Sequence, residues 1–275
     1  MIKTRKILPA LIIICTFMIQ SLHVQAQDSA TLSNSKQPLE ITADGTLEWH
    51  RNDNIFVAKN NALAKQGDVS VAAAKLVADY HDADGQDFEI WRVRAEENVH
   101  IQSRDTSAYG DNATYDINDG YAEITGTDLR LISPDQTVKA RDRFEYWAVE
   151  GKLVAIGNAR IIRENEQGEI NTLDADIITA YLKDNDQGQR VLDRMQADGN
   201  VVITTPTETL SGDAGTYNAE TQMAEITGDV EIKRGPNILE GGKAEVNLET
   251  SVSRMFGNGG TRGQVRGVFY PGSGD

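Results

Sequence analysis

One short phrase constrains this chain more than any other feature: a Gly, Asn or Asp followed by an apolar-x-apolar triplet, returning again and again. It reads Asn98-Val99-His100-Ile101, Asp128-Leu129-Arg130-Leu131, Asn158-Ala159-Arg160-Ile161, Asn200-Val201-Val202-Ile203 and Asp229-Val230-Glu231-Ile232. The apolar starts lie at 99, 129, 159, 201 and 230, giving intervals of 30, 30, 42 and 29. Successive side chains leave a strand on opposite sides, so period-two alternation marks a strand with one buried face. Strand phrases recurring every ~30 residues predict an array in which each repeat buries little alone and leans on its neighbours.

A second phrase, Asp-x-small/apolar-x-Tyr, falls between copies of the first. It appears as Asp111 to Tyr115, Asp142 to Tyr146 and Asp213 to Tyr217, with looser copies at Ala175 to Tyr181 and Gly242 to Val246. Turn formers separate the strands: Asp44-Gly45, Asp84-Gly85, Asp119-Gly120, Gln167-Gly168, Gln187-Gly188 and Arg234-Gly235-Pro236. Long helical periodicity is absent. Ala72 to Asp79 suits a helix by composition, but its place in the repeat predicts a strand. The long interval contains an insert around Asp184 to Gln189. The texture runs unbroken from about Leu39 to Glu249, which predicts an all-β region over 39–250. Length alone allows one elongated domain or two compact ones. A polar leader over 27–38 and a Gly-rich, disordered tail over 251–275 flank it.

Two sheets folded over each other bring their apolar faces together. The inward set is Val99, Ile101, Ile124, Leu129, Leu131, Ile161, Val201, Ile203, Ile226, Val230 and Ile232. It is aliphatic, and aromatics make up only 6% of the chain. Such a strip is either an ordinary sandwich core or the lining of a sandwich that stays open along one edge and lodges acyl chains. Periodicity does not decide between them. An array of repeats also ends in edge strands, and no polar capping unit is evident at either end. Uncovered edges invite head-to-tail strand addition.

The N-terminus reads as a Sec signal peptide over 1–26. Lys3, Arg5 and Lys6 precede an apolar run from Ile7 to Ile19, and Val24-Gln25-Ala26 supplies small residues at −3 and −1. The run falls short of the ~20 residues of a membrane span. Cleavage after Ala26 removes Cys15, the only cysteine, so a Cys nucleophile or Cys-ligated zinc is excluded. Cys15 follows Ile12-Ile13-Ile14 rather than small residues, so it is not a lipidation site. The removed segment holds three basic and no acidic residues, which takes the net charge from −15 to −18. That charge argues against sequence-independent nucleic-acid binding and against an anionic bilayer surface.

Other constellations are weaker. Asp82-x-Asp84-Gly85-x-Asp87 and Asp184-x-Asp186-x-Gly188 resemble calcium loops but lack the full ligand set and closing Glu. They read as polar turns. His50, His81 and His100 have no metal-ligand spacing, and no nucleophile elbow occurs. Trp49, Trp91 and Trp147 read as packing or strand-edge residues. No catalytic residue, metal or cofactor is predicted.

The segments SGDAGTYNAETQMAEITGDVEIKRG (211 to 235), YGDNATYDINDGYAEITG (109 to 126) and ADGNVVIT (197 to 204) resemble the OstA-like repeats of the LptA family of lipopolysaccharide transport proteins. The likeness spans roughly 39 to 250. It implies an elongated, twisted, partly open antiparallel β-jellyroll that is not an enzyme. It further implies a periplasmic carrier that shields lipid A acyl chains and bridges the two membranes head to tail. The implied partners are lipopolysaccharide, an inner-membrane LptC-like complex, the N-terminal domain of an outer-membrane LptD-like protein, and further copies of the chain. The other reading is a structural β-repeat envelope module, or an LptC-like component without a bridge role. Mass spectrometry of the exported protein should find Gln27 as its first residue; a chain retaining Met1 would overturn the signal-peptide reading.

Overall fold

The computed structural model describes residues 38–83, 87–164, 168–186, 190–247, 250, 252–257 and 263–270. The signal segment, and the leader apart from Pro38, lie outside them. The described residues carry eighteen strands and no helix. In chain order these are β1 (Glu40–Thr42), β2 (Thr46–His50), β3 (Ile55–Gln66), β4 (Val69–Ala83), β5 (Asp87–Ser103) and β6 (Thr106–Asp116). Then come β7 (Tyr121–Thr125), β8 (Leu129–Ser133), β9 (Gln136–Ala140), β10 (Arg143–Trp147), β11 (Lys152–Glu164) and β12 (Ile170–Asp184). The last six are β13 (Arg190–Thr204), β14 (Thr209–Asn218), β15 (Met223–Arg234), β16 (Asn237–Asn247), β17 (Val252–Phe256) and β18 (Arg266–Val268). The protein is all-β and antiparallel, as the repeat predicts.

The chain divides into two compact units. Of the described residues, one takes in those within 38–161 and 179–192, the other those within 162–178 and 193–270. In the first, consecutive strands from β2 to β7 pair antiparallel, β1 also pairs with β3, and β7 continues to β10 and β11. In the second, β13 to β17 pair in chain order and β18 returns to β16.

The Gly/Asn/Asp of the first phrase marks a corner. Two successive residues adopt positive φ at Asn60-Asn61, Glu97-Asn98, Gly157-Asn158, Gly199-Asn200 and Gly228-Asp229. The ladder shifts there, for example between Asp198 and Val201 and between Thr227 and Val230. Two residues stand where the partner strand offers one, which is a β-bulge, and bulges bend a strand without ending it. Left-handed backbone favours Gly and Asn, because other side chains crowd their own carbonyl there.

The Asp of the second phrase sits against these corners. A Cβ on Gly228 would collide with the Asp213 carboxylate, and one on Gly199 with that of Asp176. Asn200 Nδ2 donates to Asp176 at 2.8 Å, Asn61 Nδ2 to Asp44 at 2.9 Å, and the Thr127 amide to Asp111 at 2.8 Å. At Asp142 it is the Arg141 guanidinium that holds the carboxyl below its usual range. The two phrases are therefore the two sides of one joint.

The joint also sets which face each residue takes. In β5 the buried positions Ala95 and Val99 keep one parity across the corner. In β4 parity switches: Val69, Val71 and Ala73 are buried on one leg, Leu76, Ala78 and Tyr80 on the other. Outward residues carry charge. Glu123 lies opposite Glu145 and Glu225 opposite Glu245, and a cation bridges each like-charged pair. Arg143 Nε lies 3.7 Å from Glu123 and 2.6 Å from Glu145; Lys243 Nζ lies 2.8 Å from Glu225 and 2.7 Å from Glu245.

The expectation of disorder over 251–275 needs correction. β17 and β18 fall within it, and Met255 packs on the core of Leu210, Ile226, Val230, Ile232 and Ala244. Gly241 faces Met255 as Gly110 faces Ile124 and Gly212 faces Ile226. The described residues of the stretch carry the strand pairings of a further repeat. Composition hid it, because its glycines are as many as its apolar residues.

Gly228→Ala should destabilise the protein by about 1–2 kcal/mol from left-handed backbone alone, and more because its Cβ meets Asp213. Asp213→Ala removes that obstacle. Urea midpoints of the two single variants and the double variant should be non-additive, with the double milder than the sum. Strict additivity would mean that the carboxylate does not brace the corner.

Candidate functional site

The first unit holds an apolar cavity of about 270 Å³. Ile41 of β1, Leu47 of β2, Phe56 of β3, Val71 and Leu76 of β4 and Ile90 and Val93 of β5 supply its walls. The parity switch in β4 brings residues from both of its legs to the same space. Gln66 and Glu89 are its polar lining. The volume falls just under the ~300–1,000 Å³ of small-ligand sites. It suits a stretch of hydrocarbon and offers few groups to orient a polar molecule.

Two lining residues, Phe56 and Phe88, belong to a cluster of aromatic rings, whose exposed side we call the mouth. Trp49 stacks on Phe56 at 5.6 Å, Phe56 meets Tyr80 at 4.9 Å, and Phe88 meets Tyr80 edge-on at 5.0 Å. The Trp49 indole N–H donates to the Tyr80 hydroxyl at 2.8 Å, and Arg51 lies over the Trp49 ring at 4.0 Å. Leu47, Trp49 and Phe88 stay 60%, 43% and 48% exposed. Beside them on β2, hydrogen bonds from Lys59, then His50 and Thr46, hold the Glu48 carboxyl down at about 2.

Comparison with known proteins gives the context for this cavity. The family described as LptA/(LptD N-terminal domain) LPS transport protein matches the chain twice, over residues 40–144 and 142–252. The chain belongs to this family. No curated protein matches it. Among solved structures, LptH of Pseudomonas aeruginosa, described as the LptA homologous periplasmic component of the lipopolysaccharide transport device, is similar at 10% identity. That match covers 87% of this chain and 99% of the other, with a TM-score of 0.21.

The two family matches begin 102 residues apart (142 − 40). Gly110, Asp111, Tyr115, Glu123 and Ile124 each find the same residue type 102 positions later, at Gly212, Asp213, Tyr217, Glu225 and Ile226. The ~30-residue phrase is thus nested in a longer duplication. The 42-residue interval is not an isolated irregularity, since long strands β4 and β5 precede the first copy's short repeats as β12 and β13 precede the second's. Of the insert, 187–189 lie outside the described residues.

The eleven inward residues divide between the units. Val99, Ile101, Ile124, Leu129, Leu131 and Ile161 lie in the first, and Val201, Ile203, Ile226, Val230 and Ile232 in the second. Val99, Leu129, Ile161, Val201, Ile226, Val230 and Ile232 are buried; Ile101, Ile124, Leu131 and Ile203 are half-buried. None lines the cavity. Val99 and Ile101 share a core cluster with Val71, Leu76 and Ile41, which do. Sequence reasoning gave Trp49 a packing role, which it has against Phe56 and Phe88, but missed the cavity that those two phenylalanines line. The signal was local: Trp49, Phe56, Tyr80 and Phe88 crowd into one short stretch of an aromatic-poor chain.

The remaining constellations do not converge. His50 meets Glu48 at 2.8 Å, His81 stacks on Trp91 and His100 on Tyr109. Trp147 packs against Tyr121 under Lys152. Asp84 and Gly85 of the first calcium-like turn, and Gly188 of the second, lie outside the described residues, and Asp184 of the second pairs with Arg190 at 2.8 Å. Among the described residues no group of three potential metal ligands forms.

One buried acid stands apart in the second unit. Glu208 is 4% exposed, and among the described residues neither carboxylate oxygen has a hydrogen-bond partner. Burial pushes its pKa up, against the field of Arg234. A raised folded-state pKa gives stability present below the ordinary carboxylate range and lost as pH rises through the raised value. Glu208→Gln should therefore raise the thermal midpoint near pH 7. The two proteins should converge near about pH 4, where glutamate is largely protonated even unfolded. A variant less stable than the parent at neutral pH would show that the carboxylate is paired.

Proposed function

We propose that the protein is a periplasmic lipopolysaccharide carrier, exported by a cleaved signal peptide, which shields acyl chains of lipid A and hands them on within an end-to-end assembly. The observation that supports this most directly is the apolar cavity with its exposed aromatic mouth, in a member of a lipopolysaccharide transport family. Hydrocarbon leaves water at roughly 25 cal/mol per Å² of apolar surface. A cavity with such sparse polar lining offers little else.

Only part of a lipid fits the cavity, so the proposal extends the contact to the inward strip. Val99 and Ile101 lie in the core cluster beside the cavity. Ile124, Leu129, Leu131 and Ile161 continue the strip in the first unit, and Val201, Ile203, Ile226, Val230 and Ile232 form its counterpart in the second. The aromatics at the mouth receive the chain end first: rings bring large apolar area, and the Trp49–Tyr80 hydrogen bond satisfies their polar atoms. The partners are lipopolysaccharide, an inner-membrane LptC-like complex, an LptD-like N-terminal domain and further copies of the chain. The role is binding and transfer, not catalysis.

Leu47 gives a clean test, because it lines the cavity while remaining largely exposed. Leu47→Asp places a charge where an acyl chain would desolvate it, yet exposed substitutions rarely move stability by more than about 0.5 kcal/mol. Lipid A affinity of the Gln27-started protein should fall about tenfold or more, roughly 1.4 kcal/mol, with an unchanged melting midpoint. Val149→Asp, at an 85% exposed site outside the cavity, should bind as the parent does. If the parent binds no lipid A, the structural-module reading replaces the carrier; if Leu47→Asp binds equally well, the mouth is not the entrance.

A further inference from the structure

Three cross-strand rows line the cavity of the first unit, and each carries one alanine between larger residues. Phe56 of β3, Ala78 of β4 and Val93 of β5 stand abreast in the row beside the mouth. Leu47 of β2, Ala58 of β3 and Leu76 of β4 make the next. Ile41 of β1, Ala64 of β3 and Val71 of β4 make the third, beyond the Asn60-Asn61 corner. All three alanines are buried. An alanine leaves its row three carbons short of a leucine. One such gap per row gives a strip one side chain wide, which is the width of a single hydrocarbon chain.

The strip also has ends. Gln66 lies two residues past Ala64 on the same face of β3, and its amide lines the cavity away from the mouth. Glu89, beside Phe88, lines it at the mouth. The walls between these two residues are hydrocarbon, so the chain and not its head group is what they select. Ala73, Ala95 and Val99 share a core cluster with Ala58 and Ala64, yet none of them lines the cavity. The space stops where that core is packed. A dry apolar cavity of ~150 Å³ takes the six carbons of benzene, or about 25 Å³ per carbon. On that scale the 270 Å³ of this cavity hold about ten carbons.

We infer that the cavity is a slot for one straight alkyl chain of about ten carbons, which takes single-chain amphiphiles as well as one acyl chain of a larger lipid, with Ala58, Ala64 and Ala78 setting its length limit. The inference rests on the reading of this cavity as an acyl-chain site and adds the ligand class and the limit. Methylenes inside the slot leave water completely; those of a longer chain remain at the mouth and gain less.

The experiment titrates the Gln27-started protein with n-alkyl phosphocholines from hexyl to hexadecyl, each below its micelle-forming concentration, and with lipid A in parallel. Affinity should rise about fourfold per methylene, the ~0.8 kcal/mol of a buried CH₂, and level off near decyl. Ala64→Leu adds three carbons to the third row, so its plateau should begin at about seven carbons, while hexyl binds as in the parent. Val71→Ala removes two from the same row and should move the plateau to about twelve. Opposite shifts are the signature of a length limit, which a general loss of stability does not produce. Melting midpoints show that each variant is folded, and either shift suffices if the other variant unfolds. Affinity climbing evenly to hexadecyl, no binding of any alkyl phosphocholine, or a plateau unmoved in a folded variant would each overturn the slot, and the carrier reading stands if lipid A still binds. A plateau near decyl without lipid A binding supports the slot and removes the carrier.

Discussion

The two-residue left-handed bulge is the joint on which the rest of this structure depends. A long antiparallel strand keeps its ladder only if each backbone donor and acceptor finds a partner. A bend made by simply breaking the strand would orphan several of them. The bulge bends the strand at the cost of one mismatched position per pair, and it fixes the composition of that position. Gly199-Asn200 and Gly228-Asp229 sit at positive φ because those residues tolerate it. Asp176 and Asp213 stand where a carboxylate meets the corner from the next strand. Each joint therefore needs two strands, and that dependence makes the repeats cooperative neighbours rather than independent hairpins.

The same joint explains what was legible in the sequence. On β5, β13 and β15 the buried alternation runs through the corner unbroken, so Asn98-Val99-His100-Ile101 and its copies were visible as phrases. On β4 parity flips at Ala74, and the buried residues fall at 69, 71, 73, then 76, 77, 78 and 80. That spacing blurs period two, which is why Ala72 to Asp79 resembled a helix. The Asp phrase was legible as a motif, but its meaning was not: the contact between Asp213 and Gly228 joins strands whose register no single-strand pattern states. The ~100-residue duplication was hidden for a similar reason. The corner at Asn60-Asn61 is followed by Ala62-Leu63-Ala64, which buries its alanines and exposes its leucine, so the bulkiest apolar residue there points the wrong way for the phrase to stand out.

Lipid-facing character was harder to read, because a buried aliphatic and a lipid contact look alike in sequence. Val99, Leu129, Val201 and Val230 are among the largest fully buried side chains, as in any tight core. The cavity arises instead where small and large residues meet. Ala58, Ala64 and Ala78 line the same space as the larger Phe56 and Phe88, which do not fill it. Side-chain size at facing positions decides this, and facing positions follow from register rather than from hydrophobicity. The two copies share joints and ionic clusters.

Charge then determines where such a protein can be adhesive. The outward face stacks like-charged glutamates, Glu123 on Glu145 and Glu225 on Glu245, each pair held by a single cation. Unbridged, opposed glutamates destabilise a sheet; bridged, they stay solvated and net acidic. With the whole chain at −15, face-to-face approach of two copies is opposed by charge. Backbone edges escape this rule, since an edge offers amides and carbonyls rather than side chains. The apolar mouth escapes it too, because hydrocarbon carries no charge to repel. An acidic outward face thus leaves the strand edges and the apolar cavity as the places where approach is not opposed by charge.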